Sequence, residues 1–171
     1  AITSDGASFD VQDTVKSANG VILHTGGQTR GEIRVGDVVV AAVNEEERRA
    51  TMRNHTAAHL LQAALREVLG SHVEQAGQLV NAKRMRFDFT HFSALTPEEL
   101  TAVEALVNQW VLAALPADIR EMPIDEAKKL GAMALFGEKY GDIVRVVRMG
   151  SAEDGTCVST ELCGGTHVDN T

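Results

Sequence analysis

Two pairs of residues in this chain combine the types and the spacing of metal ligands. His55 and His59 are four residues apart, and so are Cys163 and His167. Residues four apart on a helix share a face, so both imidazoles of the first pair can point at one ion. A thiolate and a further imidazole complete the tetrahedral nitrogen and sulfur set that zinc favours. The pairs are 104 residues apart, so the fold must bring them together.

Neither pair alone is specific, because a histidine near an apolar face is more often a hydrogen-bonded core or surface residue than a ligand. Two pairs of compatible chemistry among only six histidines and two cysteines favour a zinc site over coincidence. Gly164 and Gly165 add to this interpretation, because they let the backbone turn tightly around a ligand pair. Cys157 is interpreted as a free thiol outside the site.

The elements that must position these residues form an α+β pattern. Glycine-punctuated, β-branched segments predict short strands and a small β-barrel-like subdomain or meander over residues 1–44. These strand patterns are residues 9–11, 20–23 and 31–40, with a hairpin turn at 24–28. Acids, then bases, then apolar residues at helical spacing predict a helix over 45–69 that carries the first histidine pair and ends at Gly70. Residues 45–171 are assigned to a second, zinc-binding α+β domain.

Further elements follow from periodicity and capping signals. Alternation predicts a half-buried strand over 83–89. Thr96 and Pro97 predict the start of a helix that ends near Leu115. The remaining pattern predicts strands over 119–122 and 143–149 with a short helix over 124–130 between them.

Composition and charge restrict the function classes. With 16 basic and 24 acidic residues the net charge is −8, which does not fit a module that binds nucleic acid through a broad basic surface. Aromatic residues make up 4% of the chain, so any RNA recognition should concentrate on a terminal nucleoside and the backbone. The absence of long apolar runs predicts no membrane partner, and the two cysteines are expected in a reducing cytoplasm.

Five blocks, in order along the chain, closely resemble the editing domain of bacterial-type alanyl-tRNA synthetases. They are residues 53–61, 79–81, 86–89, 131–140 and 159–167. The resemblance implies one zinc ion per chain, bound by His55, His59, Cys163 and His167, in a hydrolase that removes amino acid from Ser-tRNA(Ala) and Gly-tRNA(Ala). Similar ligand pairs occur in threonyl-tRNA synthetase editing domains, whose fold the chain is expected to share.

The resemblance also implies a larger context. Family members continue on both sides of the matched region, so we expect an isolated fragment with an incomplete β subdomain. ATP would be used only in an aminoacylation domain that this chain lacks. The expected partners are the acceptor end of tRNA(Ala) and the aminoacylation and C-terminal domains of the same parent chain.

Sparing alanine while cleaving serine requires a group that hydrogen-bonds the seryl hydroxyl and is left unpaired by alanine. Gln75 and Thr56 are the candidate catalytic residues for this role. Gln75 lies in the segment after the first helix, where the family is thought to read the amino acid, and the alternative is a solvated loop amide. Thr56 adjoins a ligand, and the alternative is a hydroxyl that bonds only its own helix carbonyl.

The zinc ion could polarise the ester carbonyl, lower the pKa of a water or hold the amino group of the substrate. Four protein ligands form a closed site of the structural kind, whereas a hydrolytic zinc normally keeps an open position. Either one ligand is displaced or zinc mainly positions the substrate. Cys163 is the candidate for displacement and therefore for a catalytic role.

Rival interpretations remain open at this point. A structural zinc domain that only binds tRNA would have the same ligands, and a freestanding alanyl-tRNA trans-editing protein would differ only in chain context. A metallopeptidase would need a general-base carboxylate between the histidines, where this chain has Thr56, Ala57 and Ala58. The basic candidates for contact with tRNA are Arg48, Arg49, Arg53, Lys83, Arg84, Arg86, Lys128, Lys129 and Lys139.

Overall fold

The computed structural model describes residues 1–133 and 140–171, which divide into two compact units. The first unit is Ala1–Glu46 and the second is Glu47–Thr171. Helices and antiparallel strands occur together in the chain, which confirms the α+β class.

The first unit is an open antiparallel sheet with the strand order β3-β2-β1-β4. Its strands are β1 (Ile2–Ser4), β2 (Ala7–Lys16), β3 (Ile22–Arg30) and β4 (Val40–Ala41). Strands β3 and β4 are edges, so the sheet does not close into the predicted barrel. The strand expected over 31–40 is wrong except at its end, because Arg34 and Asp37 form a turn in which the Arg34 N–H donates to Asp37 Oδ2 at 2.8 Å.

The hairpin turn expected at 24–28 is also wrong, because this segment lies inside β3. Gly26 pairs with Val11 next to a register shift in β2, and a Cβ at Gly26 would overlap the Asp10 carbonyl oxygen. The glycine therefore permits close backbone approach at a bulge, which is the other common use of glycine within a strand pattern. The turn itself lies at Ser17–Val21, with Gly20 at a φ of 85°.

Helix α1 spans Glu45–Leu69, as predicted, and carries His55 and His59. It ends at Gly70, whose N–H donates to the Arg66 carbonyl at 3.0 Å and whose φ of 115° suits glycine at a helix C-terminus. Neither α1 nor any other helix within the described ranges is both long and apolar enough to cross a lipid bilayer.

The second unit adds a two-stranded and a three-stranded antiparallel sheet and two further helices. In chain order these are β5 (Gln75–Val80), β6 (Met85–Phe89), α2 (Pro97–Leu112), β7 (Ala117–Pro123), α3 (Ile124–Lys129), β8 (Ile143–Met149) and β9 (Ser159–Leu162). Strand β5 pairs with β6, and the larger sheet has the order β7-β8-β9. The sequence pattern did not predict β5 or β9, and α2 ends at Leu112, short of Leu115.

The predicted start of α2 is confirmed by a capping box. The Glu99 N–H donates to the Thr96 hydroxyl at 3.2 Å, and the Thr96 N–H donates to the Glu99 carboxylate at 2.8 Å. Each of these two hydrogen bonds satisfies a backbone N–H group that the start of a helix otherwise leaves unpaired.

Buried apolar contacts bring α1 against the larger sheet. Leu60 packs with Val147 and Met149 of β8, and all three are at most 1% exposed. Truncating such a side chain to alanine typically costs about 2–5 kcal/mol, which gives the scale on which this contact fixes the helix. Because Leu60 follows His59 directly, the same contact holds the histidine pair beside the segment that follows β9.

Candidate metal centre

The structure brings His55, His59, Cys163 and His167 into one cluster. One potential ligand atom from each residue lies within 4.8 Å of all the others. The three histidines are buried, and Cys163 is partly exposed. The two ligand pairs, distant in sequence, therefore meet in space.

The distances within the cluster fit a tetrahedral zinc ion. Cys163 Sγ lies 3.6 Å from His55 Nε2 and 3.4 Å from His167 Nε2. Zinc bonds of about 2.3 Å to sulfur and about 2.0–2.1 Å to nitrogen, at tetrahedral angles, separate those two atoms by about 3.6 Å. Imidazole nitrogens and a cysteine thiolate are also donors that zinc binds. The residues thus have the spacing and the chemistry needed to hold one metal ion.

His55 and His167 each have a further hydrogen-bond partner, and His59 has a carboxyl oxygen nearby. His55 is hydrogen-bonded to the backbone of Thr166, and His167 Nδ1 lies 3.2 Å from the Thr56 hydroxyl. His59 Nδ1 lies 3.5 Å from a carboxyl oxygen of Glu161, a contact that lacks hydrogen-bond geometry. Such partners orient a metal-binding ring and leave its other nitrogen free for the metal.

Thr56 occupies a more specific place than its position beside His55 suggests. It is 2% exposed, and its hydroxyl also accepts a hydrogen bond from the Val168 N–H at 3.3 Å. If Nε2 of His167 binds a metal, Nδ1 carries the proton and donates to the same hydroxyl. Thr56 therefore links α1 to the side chain of His167 and to the backbone of the next residue.

Glu161 is a neighbour of the cluster that the sequence pattern did not single out. It lies in β9, and its other carboxyl oxygen accepts a hydrogen bond from Ser159 at 2.8 Å. Burial raises the pKa of Glu161 to about 7, and the Ser159 hydrogen bond opposes that rise. Because burial lowers the pKa of His59 to about 3, its imidazole is neutral near pH 7, and its contact with Glu161 is not an ion pair.

Burial and nearby positive charge keep the histidines neutral, as metal ligands must be. Burial lowers the pKa of His59 to about 3, with smaller contributions from the charges of His55 and Arg145. Burial lowers the pKa of His167 to about 2, with smaller contributions from His59, His55 and Arg145. The pKa of His55 is lowered by burial and by Arg145. Imidazole lone pairs are therefore available at neutral pH.

Cys163 and His167 lie in irregular chain after β9, and Arg145 holds that segment in place. One guanidinium nitrogen of Arg145, in β8, donates to the carbonyls of Cys163 and Gly165, both at 2.7 Å. The Gly165 N–H approaches Cys163 Sγ at 3.4 Å, and a Cβ at Gly165 would overlap the His55 ring. Gly165 is therefore required by close packing against His55, and not by the tight backbone turn that the sequence pattern suggested.

The other candidate residues lie outside the cluster. Gln75 is the first residue of β5, where it pairs with Phe89, and does not lie in the predicted loop. Its side chain is partly buried. Cys157 is exposed, with its sulfur 3.4 Å from the Thr160 hydroxyl. Most of the resemblance block 131–140, including Lys139, lies outside the described residues.

An open cavity of about 550 Å³ adjoins the metal cluster. It is lined by Arg48, Thr51, Arg145, Gly164, Gly165 and Thr166. Three of these residues lie between the candidate ligands Cys163 and His167, so the cavity opens beside the loop that carries them. A substrate bound at the cluster would have this cavity next to it.

The sequence of the chain is similar to those of known proteins. Residues 144–171 match the family described as the threonyl and alanyl tRNA synthetase second additional domain. The chain is 54% identical over 170 residues to alanine–tRNA ligase 1 of Lachnoclostridium phytofermentans and 56% identical over 167 residues to alanine–tRNA ligase of Thermus thermophilus. These matches cover 99% and 97% of the chain but 19% of each relative. The chain thus spans about a fifth of the length of the curated relatives it matches.

Proposed function

We propose, on the premise that this chain corresponds to one segment of the alanyl-tRNA synthetases, that it is a zinc-dependent editing domain. Its reaction is hydrolysis of the ester that joins serine or glycine to tRNA(Ala). The observation that carries the proposal is the cluster of His55, His59, Cys163 and His167, whose sulfur–nitrogen distances of 3.4 and 3.6 Å fit one zinc ion.

The need for such a reaction follows from binding energetics. A pocket built for alanine cannot exclude the smaller glycine by shape, and one added hydroxyl in serine gives limited discrimination. A second site that destroys the wrong product removes both errors. A hydrolytic domain within an alanine–tRNA ligase would act on the acceptor end of the tRNA that the parent protein charges.

When bound, zinc supplies Lewis-acid chemistry to the ester or to a water molecule. The chain's own contribution is to hold three neutral imidazoles and one thiolate in place. Cys163 is the least buried ligand and lies in irregular chain, which supports the proposal that it is the ligand displaced when substrate binds. His55 and His59 are held by the helix and would remain.

Thr56 and Gln75 receive different roles in this proposal. The Thr56 hydroxyl is engaged by His167 and Val168, which supports a positioning role rather than direct contact with the seryl hydroxyl. Gln75 has an amide that can donate and accept, and it remains the candidate for reading serine. A Gln75→Ala variant should then hydrolyse Gly-tRNA(Ala) normally and lose its preference for Ser-tRNA(Ala) over Ala-tRNA(Ala).

A structural zinc domain is the second candidate, because four protein ligands close the coordination sphere. Under that alternative the chain would bind zinc and tRNA without releasing any amino acid. A freestanding trans-editing protein is the third, and it would hydrolyse free aminoacyl-tRNA without help from synthetase domains.

The test is hydrolysis of Ser-, Gly- and Ala-tRNA(Ala) by the chain, with zinc content measured on the same sample. We expect roughly tenfold or greater preference for serine and glycine over alanine, lost on chelation and restored by zinc. Cys163→Ala should abolish hydrolysis, whereas Cys157→Ala should not change it. Zinc bound without release of serine, with tRNA binding retained, would favour the structural alternative, and normal hydrolysis by Cys163→Ala would refute the role of that thiolate.

A further inference from the structure

The cavity beside the metal cluster has the chemistry of a phosphate site. Two of its lining residues, Arg48 and Arg145, are arginines, and none of the described residues that line it is acidic. Guanidinium groups bind phosphate oxygens through charged, often bidentate hydrogen bonds. The whole chain carries a net charge of −8, so this pairing of arginines is a local feature against an acidic background.

Arg48 lies on the face of α1 that also carries His55. Arg48, Thr51 and His55 are separated by three and four residues, a spacing that places them on one helix face. The axial distance from Arg48 to His55 is about 10 Å, at 1.5 Å per residue. Arg48 is exposed, and within the described ranges it has no ion-pair partner. Its charge is therefore available to a ligand.

Arg145 completes the site from the opposite element. Its Nη1 donates to the Cys163 and Gly165 carbonyls, and those two contacts fix the guanidinium beside the loop that carries Cys163 and His167. Its remaining N–H groups are oriented by a side chain that cannot swing away without releasing the loop. The charge of Arg145 also reaches the three histidines, whose pKa values it lowers.

We propose that the cavity between Arg48 and Arg145 binds the phosphate on the 5′ side of the terminal nucleoside of an aminoacylated RNA. The proposal rests on the proposed function, in which the ester on that nucleoside lies at the metal cluster. The ester and the 5′ phosphate are attached to the same ribose, so two neighbouring subsites are needed to hold both. A phosphate clamp would also explain how an acidic domain low in aromatic residues holds an RNA end.

The experiment compares two hydrolysis-resistant probes that differ only in this phosphate. One is adenosine with serine joined to the 3′ position by an amide, and the other is the same compound with a 5′ monophosphate. Binding to the zinc-loaded chain is measured by calorimetry. We expect the phosphate to tighten binding by about tenfold or more, and Arg48→Ala to reduce that advantage by about five- to tenfold.

Arg120→Ala is the control. It removes the same charge from an exposed residue of β7 that does not line the cavity. This variant should keep the full phosphate advantage. Arg48 is the informative position because Arg145 also holds the ligand loop.

Several results would overturn the proposal. They are an equal phosphate advantage in Arg48→Ala and the unaltered chain, no advantage in the unaltered chain, or inorganic phosphate alone binding as tightly as the nucleotide. Failure of the proposed function is distinguishable, because it would appear as no hydrolysis of Ser-tRNA(Ala) whatever the probes show. If serine is released but the probes bind alike, only the phosphate site is wrong.

Discussion

His55 and His59 are held four residues apart by the regular turns of α1, whereas Cys163 and His167, equally far apart in sequence, lie in irregular chain after β9. We call these pairs the helix arm and the loop arm. Backbone hydrogen bonds fix the helix arm locally, and Leu60 anchors it to β8. The loop arm depends on contacts from other elements: Arg145 on its carbonyls, Thr56 on its histidine, and the missing side chain of Gly165. The two pairs therefore have the same spacing in sequence but are held in place by different kinds of contact.

The largest expected effect comes from filling the space at Gly165. A Cβ there would overlap the His55 ring, so Gly165→Ala must displace the ring or the loop. We expect zinc affinity to fall by roughly a hundredfold or more, because a ligand moved by an ångström leaves the coordination geometry. Competition with a chelator of known affinity measures the change.

Gly164→Ala is the matched control for this substitution. An added Cβ at Gly164 meets nothing within 4 Å. Zinc affinity should therefore stay within about twofold of the unaltered chain. Equal losses in the two variants would mean that the loop needs glycine for backbone freedom, and that its close approach to the helix arm is unimportant.

The next effect concerns the partner of the helix arm. Glu161→Gln removes the carboxylate that faces His59 Nδ1 while keeping the side chain's size. Loss of such an outer partner typically weakens metal binding by about 10–100-fold. Glu153→Gln, at an exposed turn, is the control and should have no effect. Unchanged zinc affinity in Glu161→Gln, with the metal-free protein equally stable, would show that the helix alone suffices to orient this ring.

Thr56 tests the loop arm in the corresponding way. Thr56→Val leaves the Nδ1 proton of His167 and the Val168 N–H without their acceptor, and we expect about a tenfold loss of zinc affinity. Thr56→Ser keeps the hydroxyl and should rescue binding. Nitrogen NMR of the zinc-loaded histidines reports whether His167 keeps a protonated Nδ1. A valine variant with the same His167 spectrum and affinity as the serine variant would contradict the positioning role.

The last prediction concerns the pH dependence of the free energy of unfolding of the metal-free chain. His59 and His167, one from each arm, have folded pKa values near 3 and near 2, against 6.5 when unfolded. Below pH 6.5 these two histidines are protonated in the unfolded chain but stay neutral in the folded chain. The free energy of unfolding therefore falls as pH falls, by about 1.4 kcal/mol per pH unit for each histidine. The pKa of Glu161 is raised from 4.5 to about 7 in the folded chain. Between pH 7 and 4.5 the folded chain therefore binds one proton more at this residue than the unfolded chain, which partly offsets the loss of stability.

Denaturant unfolding with chelator present, between pH 7.5 and 5, measures this slope. His59→Gln and His167→Gln should each flatten it by a similar amount. A steeper effect of one variant would show that the two arms are not equally buried in the metal-free state. A flat profile in the unaltered chain would contradict neutral burial of the histidines.

The same contrast explains how much the sequence could predict. The helix arm follows from local signals: apolar spacing predicts α1, Gly70 ends it, and its turns place His55 and His59 on one face. Local signals also predict α2 through the Thr96 capping box. The ligand identity of Cys163 and His167 came from residue type, spacing and family resemblance, while the position of their loop depends on tertiary contacts.

Arg145 was missed because nothing in its immediate sequence marks it. Glu161 was missed because, within the block 159–167, residue type and spacing pointed only to Cys163 and His167. Each lies on a strand as one charged residue among alternating side chains, and its role depends on which element packs opposite. In the first unit, glycines at 26 and 27 carried a turn signal that strand pairing overrode, since Gly26 lies against the Asp10 carbonyl inside the sheet. Propensity describes what a residue permits, and pairing selects among those uses.

The central claim is that both arms hold one zinc ion together. Zinc-edge X-ray absorption on the zinc-loaded chain tests it most directly. We predict one zinc per chain, with one sulfur at about 2.3 Å and three nitrogens at about 2.0–2.1 Å, and loss of the sulfur signal in Cys163→Ala but not in Cys157→Ala. A zinc shell without sulfur, or a shell unchanged by Cys163→Ala, would contradict the account.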